Sequence, residues 1–336
     1  MAKAEQIKAL LKSHLEGDDQ RFFAVAMQVA AHEARLGHAK LADDIRSLVD
    51  KAKSQRGAGR LVQISQPRGE LANLLAVSYP KARLSDMVLG ENLASEIRRV
   101  IREQRHAEKI LAHGLSPRRK LLLLGPPGTG KTLTASVLAG ELGLPLFQVR
   151  LDGLLTKFMG ETAAKLRQVF EATGQTRGVY FFDEFDAIGS QRSASNDVGE
   201  IRRVLNSFLL MIEQDQSHSL ILAATNHPDI LDTALFRRFD DVLSYTLPDT
   251  QQIEELLRSR LEVVTRGVRW SGLAAESAGL SYAEVGRAVE EVLKAALIEG
   301  TEEIGEAEIL RMLTERKEIR RRVPSGLSGP EADREG

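Results

Sequence analysis

The sequence contains no cysteine among its 336 residues. This absence excludes disulfides and thiolate metal sites, and it fits a reducing compartment. No apolar run approaches the roughly 20 residues that a membrane-spanning helix needs. The first residues also lack the apolar core of a secretion signal. We therefore expect a cytoplasmic protein with no membrane partner.

The chain also lacks an excess of charge of either sign. Its 46 Lys and Arg residues nearly balance its 47 Asp and Glu residues, which gives a net charge of -1. The overall charge therefore gives no electrostatic case for binding nucleic acid or an anionic membrane. The remaining composition, 43% hydrophobic and 28% charged, is ordinary for a soluble globular protein.

One stretch, residues 125–132, organises the sequence and reads GPPGTGKT. Apolar residues 121–124 lead into it and a helical pattern over 133–142 follows it, so the order is strand, glycine loop, helix. Glycines let successive backbone N–H groups point inward and cradle phosphates, and the helix N-terminus adds a positive dipole end. The pattern predicts a phosphate-binding loop for ATP. The predicted ATP-binding residues here are Gly125, Pro126, Pro127, Gly128, Thr129, Gly130, Lys131, Thr132 and Leu133.

Individual side chains of this loop have expected roles. Lys131 can reach the β- and γ-phosphates as a point charge, and the hydroxyl of Thr132 can ligate Mg²⁺. A second apolar run, residues 179–182, ends in Asp183 and Glu184. A strand at this separation places both carboxylates beside the phosphate loop, where Asp183 would hold Mg²⁺, directly or through water. Glu184 would orient and deprotonate the attacking water.

The rest of the core alternates strand-like runs with helical patterns up to Tyr245. Such alternation predicts an α/β fold with a parallel sheet, helices on both faces and ligands at the carboxyl ends of the strands. Together with the glycine loop, it leads us to expect the sheet of a P-loop NTPase. After Asp249 only helical patterns remain, which predicts a small all-helical lid domain. We expect an α/β ATPase domain at 82–247, the lid at 248–316 and a disordered tail at 317–336.

Residues 1–56 show apolar residues at helical spacing and predict an N-terminal three-helix module. Residues 57–81 are expected to form a linker, with a short strand-like piece at 61–64 and a short helix near 71–77. The module either caps or dimerises the protein or recruits a substrate or adaptor, and its helical pattern does not choose between these roles.

Several further segments, together with those above, resemble the AAA family of P-loop ATPases over residues 82–315. Residues 222–226, LAATN, look like the family's sensor-1 segment, so Asn226 would hold the water or sense the γ-phosphate. Asp86, Met87 and Val88 lie where relatives wrap backbone around adenine. Residues 279–284, GLSYAE, look like the family's lid stretch, with Tyr282 in place of a glycine, and Ala283 would face the nucleotide. Arg287 is either a lid arginine or an exposed helix charge.

Residues 231–240, LDTALFRRFD, are similar to the family's arginine-finger segment. Arg237 and Arg238 would stabilise the charge on a neighbouring subunit's γ-phosphate. The shorter spacing resembles that of katanin- and spastin-type members and leaves open which arginine dominates. Because the finger acts between subunits in this family, the resemblance implies a homo-oligomeric ring, a hexamer.

A loop at residues 156–161, TKFMGE, places an aromatic, an apolar residue and a glycine between the second strand of the core and the next helix. In protein-threading members of the family this position is the pore loop, here Lys157, Phe158, Met159 and Gly160, whose aromatic grips an extended polypeptide. The alternative is that Phe158 packs into the core.

The resemblance implies an ATP- and Mg²⁺-dependent protein unfoldase or remodelling machine, which threads polypeptide through a central pore and works with a separate protease if its role is degradation. The competing hypothesis is a nucleic-acid machine of the helicase-loader or initiator type, favoured only by basic clusters at 202–203 and 320–322. A third is a slowly hydrolysing, nucleotide-gated scaffold.

Overall fold

A computed structural model of the chain describes residues 19–35, 38, 40, 42–45, 47, 49, 67, 69–154, 159–185, 198–228, 236–301 and 303–322. The chain divides into two compact units, Met1–Ile64 and Ser65–Gly336. The division follows the glycine-containing polar stretch near residue 57.

In the N-terminal unit, helix α1 spans Asp19–Arg35. Ala26, Val29 and Ala30 are buried along it at helical spacing. Glu33 is buried as well, and its carboxylate contacts the imidazole of His38 at 2.7 Å. This hydrogen bond lowers the pKa of Glu33 below its ordinary value. The first of the three predicted helices lies outside the described residues.

The second unit is built on a six-stranded sheet with the order β1-β3-β4-β5-β2-β6. The strands are β1 (Leu75–Ser78), β2 (Lys120–Leu124), β3 (Leu146–Val149), β4 (Val179–Phe182), β5 (Leu220–Thr225) and β6 (Asp241–Ser244). Edge strand β1 runs antiparallel to β3, and all other pairs are parallel. The predicted parallel α/β fold is therefore confirmed, and the carboxyl ends of β2, β4 and β5 meet at one edge of the sheet.

Helices cover both faces of this sheet because its strands are apolar on both sides. The helices are α2 (Leu71–Leu74), α3 (Glu91–Arg105), α4 (Ala107–Ala112), α5 (Lys131–Leu142), α6 (Leu151–Leu154), α7 (Met159–Gln175) and α8 (Val198–Gln214). Leu121 and Leu123 of β2 pack with α3 and α5 on one face. Leu122 packs with α7 and α8 on the other face, in the same cluster as Phe208. Each fully buried side chain of this size contributes roughly 1.5–3 kcal/mol.

The C-terminal part of this unit is all-helical, as predicted. It consists of α9 (Thr250–Leu261), a 3₁₀ turn (Glu262–Val264), α10 (Trp270–Glu276), α11 (Tyr282–Glu299) and α12 (Glu306–Arg322). Capping boxes begin α9 at Asp249 and α11 at Ser281, each satisfying otherwise unpaired N–H groups. A separate apolar cluster holds the four helices together. In the part of the chain that the structure describes, no helix is long and apolar enough to cross a membrane.

Two segments differ from the sequence-based expectation. The short helix expected near 71–77 ends at Leu74, and residues 75–78 of the expected linker instead form strand β1. The free edge of β3 offers backbone partners there, and this pairing outcompetes a short isolated helix. Helix α12 continues to Arg322, into the range expected to be a disordered tail, because Arg316 and Arg320 form ion pairs with α11. Residues 323–336 lie outside the described residues.

Candidate active site

The phosphate loop joins β2 to α5 with a backbone that requires glycine. Gly125, Gly128 and Gly130 have φ values of 148°, 75° and 104°, a region that L side chains rarely adopt. A Cβ at Gly125 would collide with the backbone oxygen of Tyr245, and one at Gly128 would lie 2.7 Å from Ser281 Oγ. The loop therefore forms a cradle that side chains would fill, and this cradle fits phosphate oxygens.

Lys131 is the first residue of α5 and is only 6% exposed. Its ammonium donates to the carbonyl oxygens of Gly125 at 2.7 Å and Pro126 at 2.8 Å. This ammonium lies next to a helix N-terminus, where negative charge is favoured. The site therefore fits the phosphate groups of ATP.

Thr132 and Asp183 meet across the edge of the sheet. Thr132 Oγ1 donates to Asp183 Oδ2 at 2.8 Å. A hydroxyl and a half-buried carboxylate are oxygen ligands of the type that Mg²⁺ takes. These two residues fit the metal, and the structure brings them together as the sequence predicts.

Glu184 stands next to this pair in an unusual conformation. It is the one non-glycine residue with positive φ in the described part of the chain, at 49°. Its N–H donates to Asp183 Oδ1 at 3.0 Å, and the following N–H, of Phe185, donates to Ala224 O at 2.8 Å. Phe185 is fully buried. The turn is therefore fixed on both sides, and it leaves the Glu184 side chain exposed at the cleft.

A cleft of about 580 Å³ collects most of the predicted residues. Residues 86–88, 127–133, Asp183, Glu184, Asn226, Ala283 and Arg287 line it. Asn226 follows β5 directly. Four further lining residues were not predicted from the sequence: Leu256, Arg260, Gly286 and Glu290. For Gly286 and Glu290 the spacing carried a signal, since residues 283, 286, 287 and 290 share one face of α11.

The Asp86–Val88 side of the cleft is held by local contacts. Asp86 Oδ2 accepts the N–H of Arg83 at 2.8 Å, so its carboxylate closes a 3₁₀ turn. Met87 Sδ lies 3.9 Å from Thr134 Oγ1, and this hydroxyl also lies 2.6 Å from the Tyr245 hydroxyl. Burial raises the pKa of Tyr245, which stays a neutral hydrogen-bonding group. The segment is fixed against the helix that follows the phosphate loop.

The lid contacts the phosphate loop through the start of α11. Ala283 N–H donates to Gly128 O at 3.1 Å, and Tyr282 Oη donates to Gln252 Oε1 at 2.9 Å. Burial, with the nearby Asp249 charge, raises the pKa of Tyr282 to about 12. A second recess of about 350 Å³ shares Tyr282 and Thr129 with the main cleft. Tyr282 and Thr129 therefore line both recesses.

The two predicted finger arginines lie away from this cleft. They precede β6, whereas the phosphate loop follows β2, and the two strands are parallel with Leu121 opposite Asp241. At about 3.3 Å per residue, the length of β2 separates the amino ends of the strands from their carboxyl ends by roughly 16 Å. Arg237 is exposed, while Arg238 Nε contacts Glu213 Oε2 at 3.2 Å. Both therefore lie near the amino ends of the strands, away from the phosphate loop of their own subunit.

The predicted pore loop lies largely outside the described residues. Lys157 and Phe158 are not described, and Met159 and Gly160 begin helix α7. Their roles stay predictions.

Comparison with known proteins agrees with this geometry. Residues 121–247 match the model of the ATPase family associated with various cellular activities (AAA). The chain is 36% identical over 332 residues to the uncharacterized AAA family ATPase y4kL of Sinorhizobium fredii, and the match covers 98% of this chain and 99% of that protein.

The chain is also similar to proteins named ATP-dependent zinc metalloprotease FtsH. It is 34% identical over 251 residues to FtsH 3 of Sphaerobacter thermophilus, covering 72% of this chain and 51% of that protein. It is 33% identical over 243 residues to FtsH of Helicobacter pylori, covering 69% of this chain and 38% of that protein. The chain thus spans about half the length of these proteases or less. Full-length similarity to one AAA ATPase, together with the family match over the sheet and its phosphate loop, shows that the chain belongs to the AAA family of ATPases.

Proposed function

We propose that this protein is a Mg²⁺-dependent, ring-forming ATPase that threads and unfolds polypeptides. The observation that carries the proposal is the convergence of Lys131, the Thr132–Asp183 pair and Glu184 on one cleft. A glycine cradle beside paired metal-ligand oxygens and a free carboxylate side chain is the set of groups that phosphoryl transfer to water needs.

Each residue has a defined part in this proposal. The loop N–H groups and Lys131 bind the phosphates, while Thr132 and Asp183 hold Mg²⁺. Bound Mg-ATP supplies the scissile phosphoanhydride and a metal that neutralises developing charge. Glu184 accepts a proton from the attacking water, which Asn226 orients. The lid residues that line the cleft, which lie between Leu256 and Glu290, close over the nucleotide.

Hydrolysis in this proposal needs a neighbouring subunit. Arg237 and Arg238 lie near the amino ends of the strands, whereas the phosphate loop lies at the carboxyl ends. Their charge can therefore reach only the cleft of another copy. In a closed ring, proposed to be a hexamer, every cleft receives arginines from a neighbouring subunit. Arg237 is the leading finger, since it is exposed, whereas Arg238 is held by Glu213 of its own subunit.

The similarity to proteins named as proteases supports protein as the substrate class. In this proposal Phe158 of the pore loop grips the polypeptide, the N-terminal unit recruits the substrate or an adaptor, and a separate protease degrades the product where degradation is the purpose. The basic end of α12 lends little support to a nucleic-acid role, because Arg320 and Arg322 form ion pairs with Glu284 and Glu318.

The test is binding of an unfolded, fluorescently labelled polypeptide to purified Glu184→Gln protein. With ATP and Mg²⁺, this variant is expected to hold nucleotide without turning it over, and so to retain the polypeptide. Retention should disappear with ADP and in the Glu184→Gln, Phe158→Ala double variant. A labelled single-stranded oligonucleotide serves as the second probe.

Salt separates the two probes further, because nucleic-acid binding weakens steeply as salt rises. Oligonucleotide binding that is salt-dependent and indifferent to Phe158, with no polypeptide retained, would refute threading. Fluorescent-ADP binding, measured on the same samples, reports separately on the nucleotide site.

A further inference from the structure

A polar network runs from the end of the C-terminal helix to the nucleotide cleft. It begins at Arg320 near the end of α12, whose guanidinium donates to the carbonyl oxygen of Gly279 and lies 3.2 Å from Glu284 Oε2. Both acceptors flank the turn that starts α11. One side chain therefore links two helices and the turn between α10 and α11.

Glu284 in addition forms hydrogen bonds with Ser281. The same oxygen, Glu284 Oε2, accepts the Ser281 N–H at 2.7 Å and its hydroxyl at 2.8 Å. Ser281 is 4% exposed, and Gly279 turns the chain with a φ of 90°. Charge-assisted hydrogen bonds of this kind are shorter and stronger than neutral ones. The carboxylate held by Arg320 is thus the group that fixes the turn.

The turn before α11 contacts the phosphate loop. Ala283 N–H donates to Gly128 O at 3.1 Å. The approach at Gly128 is so close that a Cβ there would lie 2.7 Å from Ser281 Oγ. A small shift of residues 281–283 would therefore move the backbone of the loop that cradles phosphate.

We propose that Arg320 is a positioning residue that sets nucleotide affinity from the C-terminal helix, through Glu284 and Ser281 to the phosphate loop. This rests on the proposed nucleotide site. Arg320 is 45% exposed and Glu284 is 27% exposed, so the pair itself adds little to the stability of the lid. Its effect is to hold the turn in the geometry that meets Gly128. An arginine is suited to the position because one guanidinium nitrogen, Nη1, carries two N–H groups and can donate to Gly279 and Glu284 at once.

The test is the dissociation constant of a fluorescent ADP analogue with Mg²⁺, measured on the full-length protein. Loss of a half-exposed charged hydrogen bond that orders the turn should weaken binding about 3- to 10-fold in Arg320→Ala. Arg320→Lys, which keeps the charge but not the planar guanidinium, should fall between this variant and wild type. The control is Arg322→Ala, whose ion pair with Glu318 stays within α12, and which should bind like wild type.

A double-variant cycle keeps the test specific to the network. In a Glu284→Gln background, Arg320→Ala should weaken binding much less than it does alone, because the carboxylate charge that Arg320 pairs with is already removed. Wild-type affinity in Arg320→Ala, an equal loss in Arg322→Ala, or fully additive effects with Glu284→Gln would overturn the inference. Failure of the proposed nucleotide site looks different: Lys131→Ala would then bind the ADP analogue like wild type.

Discussion

The backbone of Glu184 leads to a prediction in which stability and activity move in opposite directions. A non-glycine residue in the left-handed region costs roughly 1–2 kcal/mol, and Glu184 has a φ of 49°. Glu184→Gly removes this strain, although glycine loses about 0.5–1 kcal/mol more backbone entropy on folding. The net effect should lie between no change and a gain of about 1.5 kcal/mol.

The matched comparison is Glu184→Ala, which keeps a Cβ and therefore keeps the strain. At this size of domain, 1 kcal/mol shifts Tm by about 2–4 °C. We expect the Tm of the glycine variant to exceed that of the alanine variant by about this amount. Glu184→Gln should match wild type in Tm, since the side chain is exposed and the backbone unchanged.

Activity should follow a different order. All three variants lose the carboxylate that accepts the proton, so ATP turnover should fall about 10²–10⁴-fold in each. Their affinity for ADP should stay near wild type, because Lys131 and the glycine cradle are intact. The measurements are differential scanning calorimetry without nucleotide and steady-state ATPase rate. A glycine variant less stable than the alanine variant, or one that retains turnover, would refute the reasoning.

Three further predictions concern the lid and the loop beside it. Gly128→Ala should weaken fluorescent-ADP binding at least about tenfold and also lower Tm, because strain of about 1–3 kcal/mol adds to a contact at 2.7 Å. Its control is Gly114→Ala, with a similar φ of 73° but no atom within 4 Å, which should lower Tm and leave binding intact. Tyr282→Gly should enlarge the space beside Tyr282, which lines both recesses, and let an ADP analogue with an enlarged base bind, whereas Tyr282→Phe keeps the ring and should still reject it; equal rejection by both would contradict this role of the ring. The carboxylate of Glu306 accepts the backbone N–H and the guanidinium of Arg269, which lowers its pKa. Its stabilisation is therefore present above the unfolded pKa of about 4.5 and lost as pH falls through the lower folded value. Glu306→Gln should flatten that part of the acid-unfolding curve, and an unchanged curve would contradict this assignment.

The sequence predicts those features that depend on local pattern. The strand before Gly125, the glycine loop and the carboxylates after β4 could be predicted because strand, turn and helix signals adjoin them. The meeting of Thr132 with Asp183 follows from parallel strands, whose carboxyl ends share an edge.

What the sequence does not predict depends on contacts between distant segments. Strand β1 forms because β3 has a free edge, and the presence of that edge cannot be recognised from residues 71–78 themselves. Leu256 and Arg260 reach the cleft only because the lid packs over it. From the sequence alone, the last turns of α12 look like a polar tail. Arg320 stabilises them as a helix through its ion pair with Glu284, which lies far away in sequence.

The claim that one subunit completes the active site of the next can be tested most directly by mixing inactive subunits. Subunits with both Arg237→Ala and Arg238→Ala retain an intact cleft, and Lys131→Ala subunits retain intact arginines. Each should be nearly inactive alone, since a finger arginine contributes about 10³–10⁵-fold to turnover. Assembled together, they should regain ATPase activity at interfaces where intact arginines face an intact cleft. A mixed ring that is fully assembled, as shown by analytical ultracentrifugation, yet no more active than either parent would contradict the account.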